Sequence, residues 1–273
     1  MSARLAPDVH VVGPDGELVA ADRKPLLDPA AARMLGFGAS HHRVLAIRGE
    51  HLALMEWAVL PHSTGADRRF VVIELDNRAR IASMRLYEWT VDALTEATDH
   101  LEARWKETAE LDDDDLLMID AITAWRHGDQ EVLGRILHTD FLAADHRSLS
   151  WGDYNREEFI ALFDGDARNV VVEVPARYIS SEGSGRTFHL TALGCQENEL
   201  LEALEGHFVG ILSDGLVLRC DGYDVDTNEE THLRLRELLA ELGKASAGAE
   251  VDQSRFGSSR YSSRLSRGSS PED

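Results

Sequence analysis

Two periods organise this chain. Apolar residues alternate with polar ones over residues 43–47, 52–60, 70–75, 81–87, 141–147, 170–179, 187–193, 208–212 and 216–223, and that alternation predicts strands. At helical spacing they recur over 91–105, in Leu117, Met118, Ala121, Ile122 and Trp125, in Val132, Leu133, Ile136 and Leu137, and over 228–242. Punctuation residues set the boundaries. Pro14-Asp15-Gly16 turns an opening hairpin, and Asp76-Asn77 turns another. Asp28-Pro29 starts a short helix that Gly36 and Gly38 end, Thr90 caps the helix after it, and Gly128-Asp129 breaks one helix and caps the next. Residues 155–163 read as a capped short helix, whereas 197–204 fits either a helical turn or the approach to a strand.

The chain also says one thing twice. LVAADRKPLL at 18–27 returns as FLAADHRSLS at 141–150, which pairs Asp22 with Asp145. RFVVIELDNRARIASMRLYEW at 69–89 returns as HFVGILSDGLVLRCDGYDV at 207–225, which pairs Phe70 with Phe208, and each copy runs on into a helix. Repetition in one internal order implies two copies of a structural unit. The copies are unequal, because helical sequence over 112–137 precedes only the second. We therefore divide the chain into an N-terminal hairpin segment (1–17), a partial unit (18–108), a complete unit (109–243) and a Ser/Gly/Arg-rich tail (244–273) too poor in apolar residues to pack.

Composition narrows the function. The formal net charge of −21, all of its negative excess carried before residue 244, repels phosphate backbones and anionic lipid, which argues against nucleic acid or a membrane as partner. No apolar run approaches the roughly 18–20 residues that span a bilayer. The first residues lack a signal peptide's apolar segment, so a cytoplasmic location is expected. Cys195 and Cys220 form no disulfide framework and no CxxC site. The acidic run Asp112–Asp115 sits where carboxylates favour the positive end of a helix and needs no metal to explain it.

The order helix, helix, strand, short helix, four strands, helix resembles the nuclear transport factor 2-like superfamily, and more narrowly its SnoaL-like members. AWRHGDQEVLGRILHTDFLAADHR at 124–147 carries the resemblance, with the closing hairpins VVIELDNRARIASMRLYE and VGILSDGLVLRCDGYD. It covers about 112–242 well and about 18–106 in part. It implies an α+β fold of two tandem cone-like units, each a curved antiparallel sheet with helices on its concave face, the first lacking its N-terminal helix pair. The tandem also resembles the C-terminal regions of large bacterial signalling and regulatory proteins, where such units follow nucleotide-binding or cyclase modules. No P-loop occurs here. Without a helix pair, the first unit's concave face would expose enough apolar surface to require a cover: a second subunit, the N-terminal hairpin or an upstream domain.

Enzymes in this superfamily resemble small isomerases, cyclases, dehydratases or hydrolases with acid/base residues inside the cone. The matching candidates are Asp145 and His146, with Tyr154 as hydrogen-bond donor, in a pocket drawn from Trp125, Phe141, Trp151, Phe159, Phe163, His189 and Tyr223. Adjacent strand residues face opposite ways, so one of Asp145 and His146 points inward unless the strand bulges. An inward His146 is a general base; an inward Asp145 among aromatics becomes a proton carrier. An Asp-Arg pair at a strand end also simply ties a loop down, and Trp125 and Phe141 also serve as core. His146, His189 and His207 converge only if three facings agree, so no metal and no cofactor is expected. The expectation is a non-catalytic accessory module that binds a small apolar ligand or a protein partner, as homodimer or tandem pseudo-dimer. The alternative is an isomerase-, cyclase- or hydrolase-type enzyme using the second unit's pocket.

Overall fold

A computed structural model describes residues 5–20, 40–59, 67–148, 152–162, 171–196, 199–224 and 228–241. The alternating stretches form two six-stranded sheets. The first contains β1 (Leu5–Val12), β2 (Leu18–Ala20), β3 (Ser40–Arg48), β4 (Leu52–Val59), β5 (Asp67–Leu75) and β6 (Ile81–Tyr87). The second contains β7 (Leu137–Asp145), β8 (Asp153–Asn155), β9 (Val171–Glu182), β10 (Gly185–Gln196), β11 (Glu199–Ser213) and β12 (Leu216–Tyr223). The described helices are α1 (Val91–Thr108), α2 (Asp113–His127), α3 (Gln130–Ile136), α4 (Arg156–Ala161) and α5 (Asn228–Glu241).

The two sheets share one topology, β2-β1-β6-β5-β4-β3 and β8-β7-β12-β11-β10-β9. The fold is α+β with two tandem cone-like units. Each sheet is mixed rather than wholly antiparallel, because its first strand lies parallel to its last: β1 beside β6, and β7 beside β12. This topology corrects part of the repeat. The counterpart of β7 is β1, whereas Leu18–Ala20 holds the place of the short edge strand β8. The AAD likeness therefore joins strands of different rank, while Phe70 and Phe208 do sit on matching strands, β5 and β11. The hairpin segment expected to stand apart at 1–17 supplies β1 to the first sheet. Residues 197–198 lie outside the described residues, and Glu199 onward is strand. The expected helix after Asp28-Pro29 and the tail at 244–273 also lie outside them.

Caps and stripes explain the helices. The Thr90 hydroxyl accepts from the Ala93 amide, and Asp112 and Asp115 form a reciprocal capping box, as do Asn155 and Glu158. Gly128 ends α2 at φ 65°, and Asp129 caps α3. On α1 the residues Leu94, Ala97, Thr98, Leu101, Glu102 and Trp105 form the buried stripe. They pack on the sheet face that carries Leu54, Phe70, Val72 and Tyr87. The face expected to need an outside cover is thus covered by the chain's own helix.

The same core continues without a break into the second unit through Met118, Ile119, Ile122, Trp125 and the inner residues of β7–β12. At the joint, Arg48 on β3 gives Nε and Nη2 to Glu102 of α1 at 3.0 and 2.5 Å, and Nη2 also reaches the Pro175 carbonyl of β9 at 2.7 Å. The guanidinium lies 4.7 Å from the Tyr178 ring and 5.5 Å from the Trp105 ring. Two smaller clusters occupy the outer faces. On the first sheet they are Val71, Ile73, Met84 and Leu86 with Val9 and Val11. On the second, α5 seats Leu235, Leu238 and Leu239 over Val209 and Ile211.

Replacing Glu102 by Gln leaves the Arg48 charge buried and unpaired, so chemical denaturation is expected to show a loss of about 3–5 kcal/mol. The double variant Arg48→Met with Glu102→Leu is expected to recover much of it. A loss under about 1 kcal/mol for Glu102→Gln, as for a surface pair, would remove the joint from the stability account.

Candidate functional site

The interior of the second unit is filled by rings. Trp125 meets Phe159 at 5.6 Å and Phe208 at 6.3 Å, Phe141 meets Phe159 at 5.1 Å, and Phe188 stacks on Phe208 at 5.6 Å. Trp125, Phe141 and Phe159 are all buried. Tyr154, on β8 opposite Ala143, packs partly buried against this core. The expected pocket residues Trp151 and Phe163 lie outside the described residues.

Alternation on β7 sends Asp145 and His146 to opposite faces, as strand geometry requires. Asp145 points inward and holds Arg147, which donates Nε and Nη2 to the two carboxylate oxygens at 2.7 Å each. The buried guanidinium lies 5.2 Å from the Phe208 ring. Gly206 and Gly222 make room for that stack: a Cβ on Gly206 would meet Arg147 Cδ at 3.1 Å, and one on Gly222 would meet Phe208 Cε1 at 2.9 Å. Asp145 is therefore a carboxylate tied to Arg147 beside these rings.

His146, His189 and Tyr223 do not line that interior. They share the outer face in one row, because the register sets His189 opposite His207 and His207 opposite Tyr223. Their rings touch in pairs, His189 and His207 at 4.9 Å, Tyr223 and His146 also at 4.9 Å. Beneath the row lies Asp221, with 0% of its surface exposed. It accepts from Arg219 Nε at 2.7 Å, the Tyr223 hydroxyl at 2.9 Å and His146 Nε2 at 3.1 Å. Arg234 of α5 donates to the Tyr223 hydroxyl at 2.6 Å. Burial pushes the Tyr223 phenol well above its ordinary range. A histidine oriented by a buried carboxylate, with its side chain 41% exposed, has the geometry of a general base. Sequence spacing gave no sign of this pair, since Asp221 lies 75 residues from His146.

The three histidines that share this face make no metal site, and no group of three or more His, Cys, Asp or Glu among the described residues is placed to hold one. Cys220 is partly buried, and desolvation pushes its thiol up to about 12, which disfavours the nucleophilic thiolate. The cavity of note lies on the other unit. On the outer face of the first sheet, an open groove of about 470 Å3 is lined by Val44, Ile47, Ala53, Met55, Ile73, Leu75 and Ile81, with Glu50 and His51 at the β3–β4 turn. Sequence reasoning missed it, because apolar residues on the second face of a strand read simply as a two-sided core strand.

His207 carries a pH dependence. Burial, then His189 and His232, bring it from 6.5 down to about 4. Its Nδ1 meets the buried Thr231 hydroxyl of α5 at 2.9 Å. The unfolded chain takes this proton near pH 6.5 and the folded chain only near 4, so the unfolded state binds more protons in between. Stability contributed by neutral His207 is present above about pH 6.5 and is lost as the pH falls towards 4. His207→Gln is expected to flatten that loss, read as urea midpoints between pH 7 and 4.5; an unchanged slope would assign the loss to other groups.

No protein-family model matches the chain, and no curated protein matches it. Among solved structures the chain is similar to an NTF2-like protein of unknown function from Cytophaga hutchinsonii, at 12% identity over 42% of this chain and 92% of that one, TM-score 0.32. It is similar to an NTF2-like protein with a cystatin-like fold from Novosphingobium aromaticivorans, at 15% identity over 53% of this chain and 96% of that one, TM-score 0.35. A third similar chain is a Δ5-3-ketosteroid isomerase from Mycobacterium sp., at 14% identity over 44% of this chain and 96% of that one, TM-score 0.34.

Proposed function

We propose that this chain is a non-catalytic SnoaL-like accessory module that holds a small apolar ligand on the outer face of its first sheet. The observation that carries this reading is where space lies. Rings fill the second unit's interior, while the first sheet's outer face keeps a cavity of about 470 Å3 walled by Val, Ile, Leu, Ala and Met. That volume falls within the range of small-molecule sites, which are mostly apolar with a few polar groups at the edge. Here the polar edge is Glu50 and His51. The likeness of the tandem to C-terminal regions of bacterial regulatory proteins supports an accessory role. An apolar side chain of a protein partner would use the same groove.

A second reading, an enzyme using a general acid/base, is favoured by one observation, the His146–Asp221 pair. It places the base on the outer face beside α5 and not in the cone.

The full chain is expected to bind a neutral apolar dye such as Nile red saturably. Met55→Glu puts a charge into the groove wall and is expected to weaken binding by at least about tenfold, while Met55→Leu retains it. Equal dye affinity in Met55→Glu and the parent, with both folded by circular dichroism, would refute the groove as the site.

A further inference from the structure

Arg68, a quarter of its side chain exposed, differs from the other carboxylate-paired arginines of this fold. Arg48, Arg126, Arg147, Arg186 and Arg219 each turn the Nε–Nη2 edge of the guanidinium onto carboxylate oxygens at 2.5–3.1 Å. Arg68 spends Nη1 on Glu56, at 3.3 Å, and its Nε is buried with no acceptor among the described residues. Trp89 Nε1 is a second buried donor without one. The two side chains are in contact, since the Arg68 guanidinium carbon lies 5.1 Å from the Trp89 ring centre. Trp89 in turn stacks on Phe70 at 4.6 Å and 21°. Buried N–H groups are nearly always bonded, so two neighbouring orphans mark a place built for an acceptor.

The chemistry of that acceptor follows from the donors. The Nε–Nη2 edge is planar and offers two parallel N–H groups, which match the two oxygens of a carboxylate. This chain uses that match repeatedly, at Glu102, Asp145 and Asp221. A neutral carbonyl presents one oxygen and fills half of the edge. A doubly charged phosphate meets the Glu56 carboxylate next door and the field of a chain with net charge −21. A single negative charge suits the site best.

We propose that Arg68 and Trp89 bind the carboxylate of a small organic acid, seated on the Nε–Nη2 edge and accepting also from Trp89 Nε1. Alternation along β5 puts Arg68 on the face of Phe70 and Val72, under α1, opposite the apolar groove. The site therefore stands independently of the groove.

Isothermal titration of the full chain with phenylacetate tests this, with phenylacetamide as its neutral isostere and inorganic phosphate as a second anion at equal ionic strength. Phenylacetate is expected to bind saturably, one per chain, and at least about tenfold more tightly than either comparison. Arg68→Lys is expected to weaken it by at least about tenfold, because an ammonium lacks the fork. Trp89→Phe removes the N–H while leaving a smaller aromatic ring beside Phe70, so a loss of about threefold or more is expected there even if Arg68→Lys fails to fold. Absence of saturable binding, an unchanged Kd in Trp89→Phe, or phosphate binding as tightly as phenylacetate would overturn the proposal.

Discussion

The buried pair of Arg48 and Glu102 is the constraint on which the arrangement of the two units depends. Arg48 is 1% exposed and Glu102 3%, so neither charge has water to turn to. Each needs the other, and the geometry leaves one solution: a two-bonded fork with the guanidinium against Trp105 and Tyr178. Those partners come from β3, α1 and β9, which belong to different units. An apolar contact at the joint would tolerate sliding by a fraction of a side chain; a desolvated ion pair penalises it steeply. Arg186 repeats the device one layer away, gathering Asp112 and Asp115 from the start of α2 onto β10. Both sheets are thereby held to the helices that run between them.

That arrangement decides where chemistry has room. With α1 on one sheet and α2 and α3 on the other in a single continuous core, the space a cone would enclose is taken by Trp125, Phe141, Phe159, Phe188 and Phe208. The apolar groove and the histidine row lie on the outer faces. The first sheet carries an apolar groove there, and the second carries the His189–His207–Tyr223–His146 row pinned by Asp221 and α5. At the edge of the first sheet's inner face, Arg68 Nε and Trp89 Nε1 are buried donors without acceptors among the described residues.

Much of the fold was legible residue by residue. The caps Thr90, Asp112, Asp129 and Asn155 and the breaker Gly128 act within three or four residues of chain, so local sequence specifies them fully. The stripe on α1 and the hairpins at Asp76 and Asp214 are likewise local. The strand β8 was not legible, because three residues are too few to show a period. The AAD likeness misled for the opposite reason: short apolar stretches recur, and only pairing tells which strand is which. In the site, alternation correctly separated Asp145 from His146, yet it cannot say which of two faces is inside.

The sequence by itself determined most of the described elements, their order and the α+β class, because these follow from periodicity and caps that act over a few residues. Tertiary structure alone decided that α1 covers its own sheet, that β1 and β7 pair with the last strands, and that His146 meets Asp221 across 75 residues. It alone left the Arg68 Nε without an acceptor among the described residues. Each of these depends on which surfaces meet in space, and chain order carries no such information until burial selects among the possible pairings.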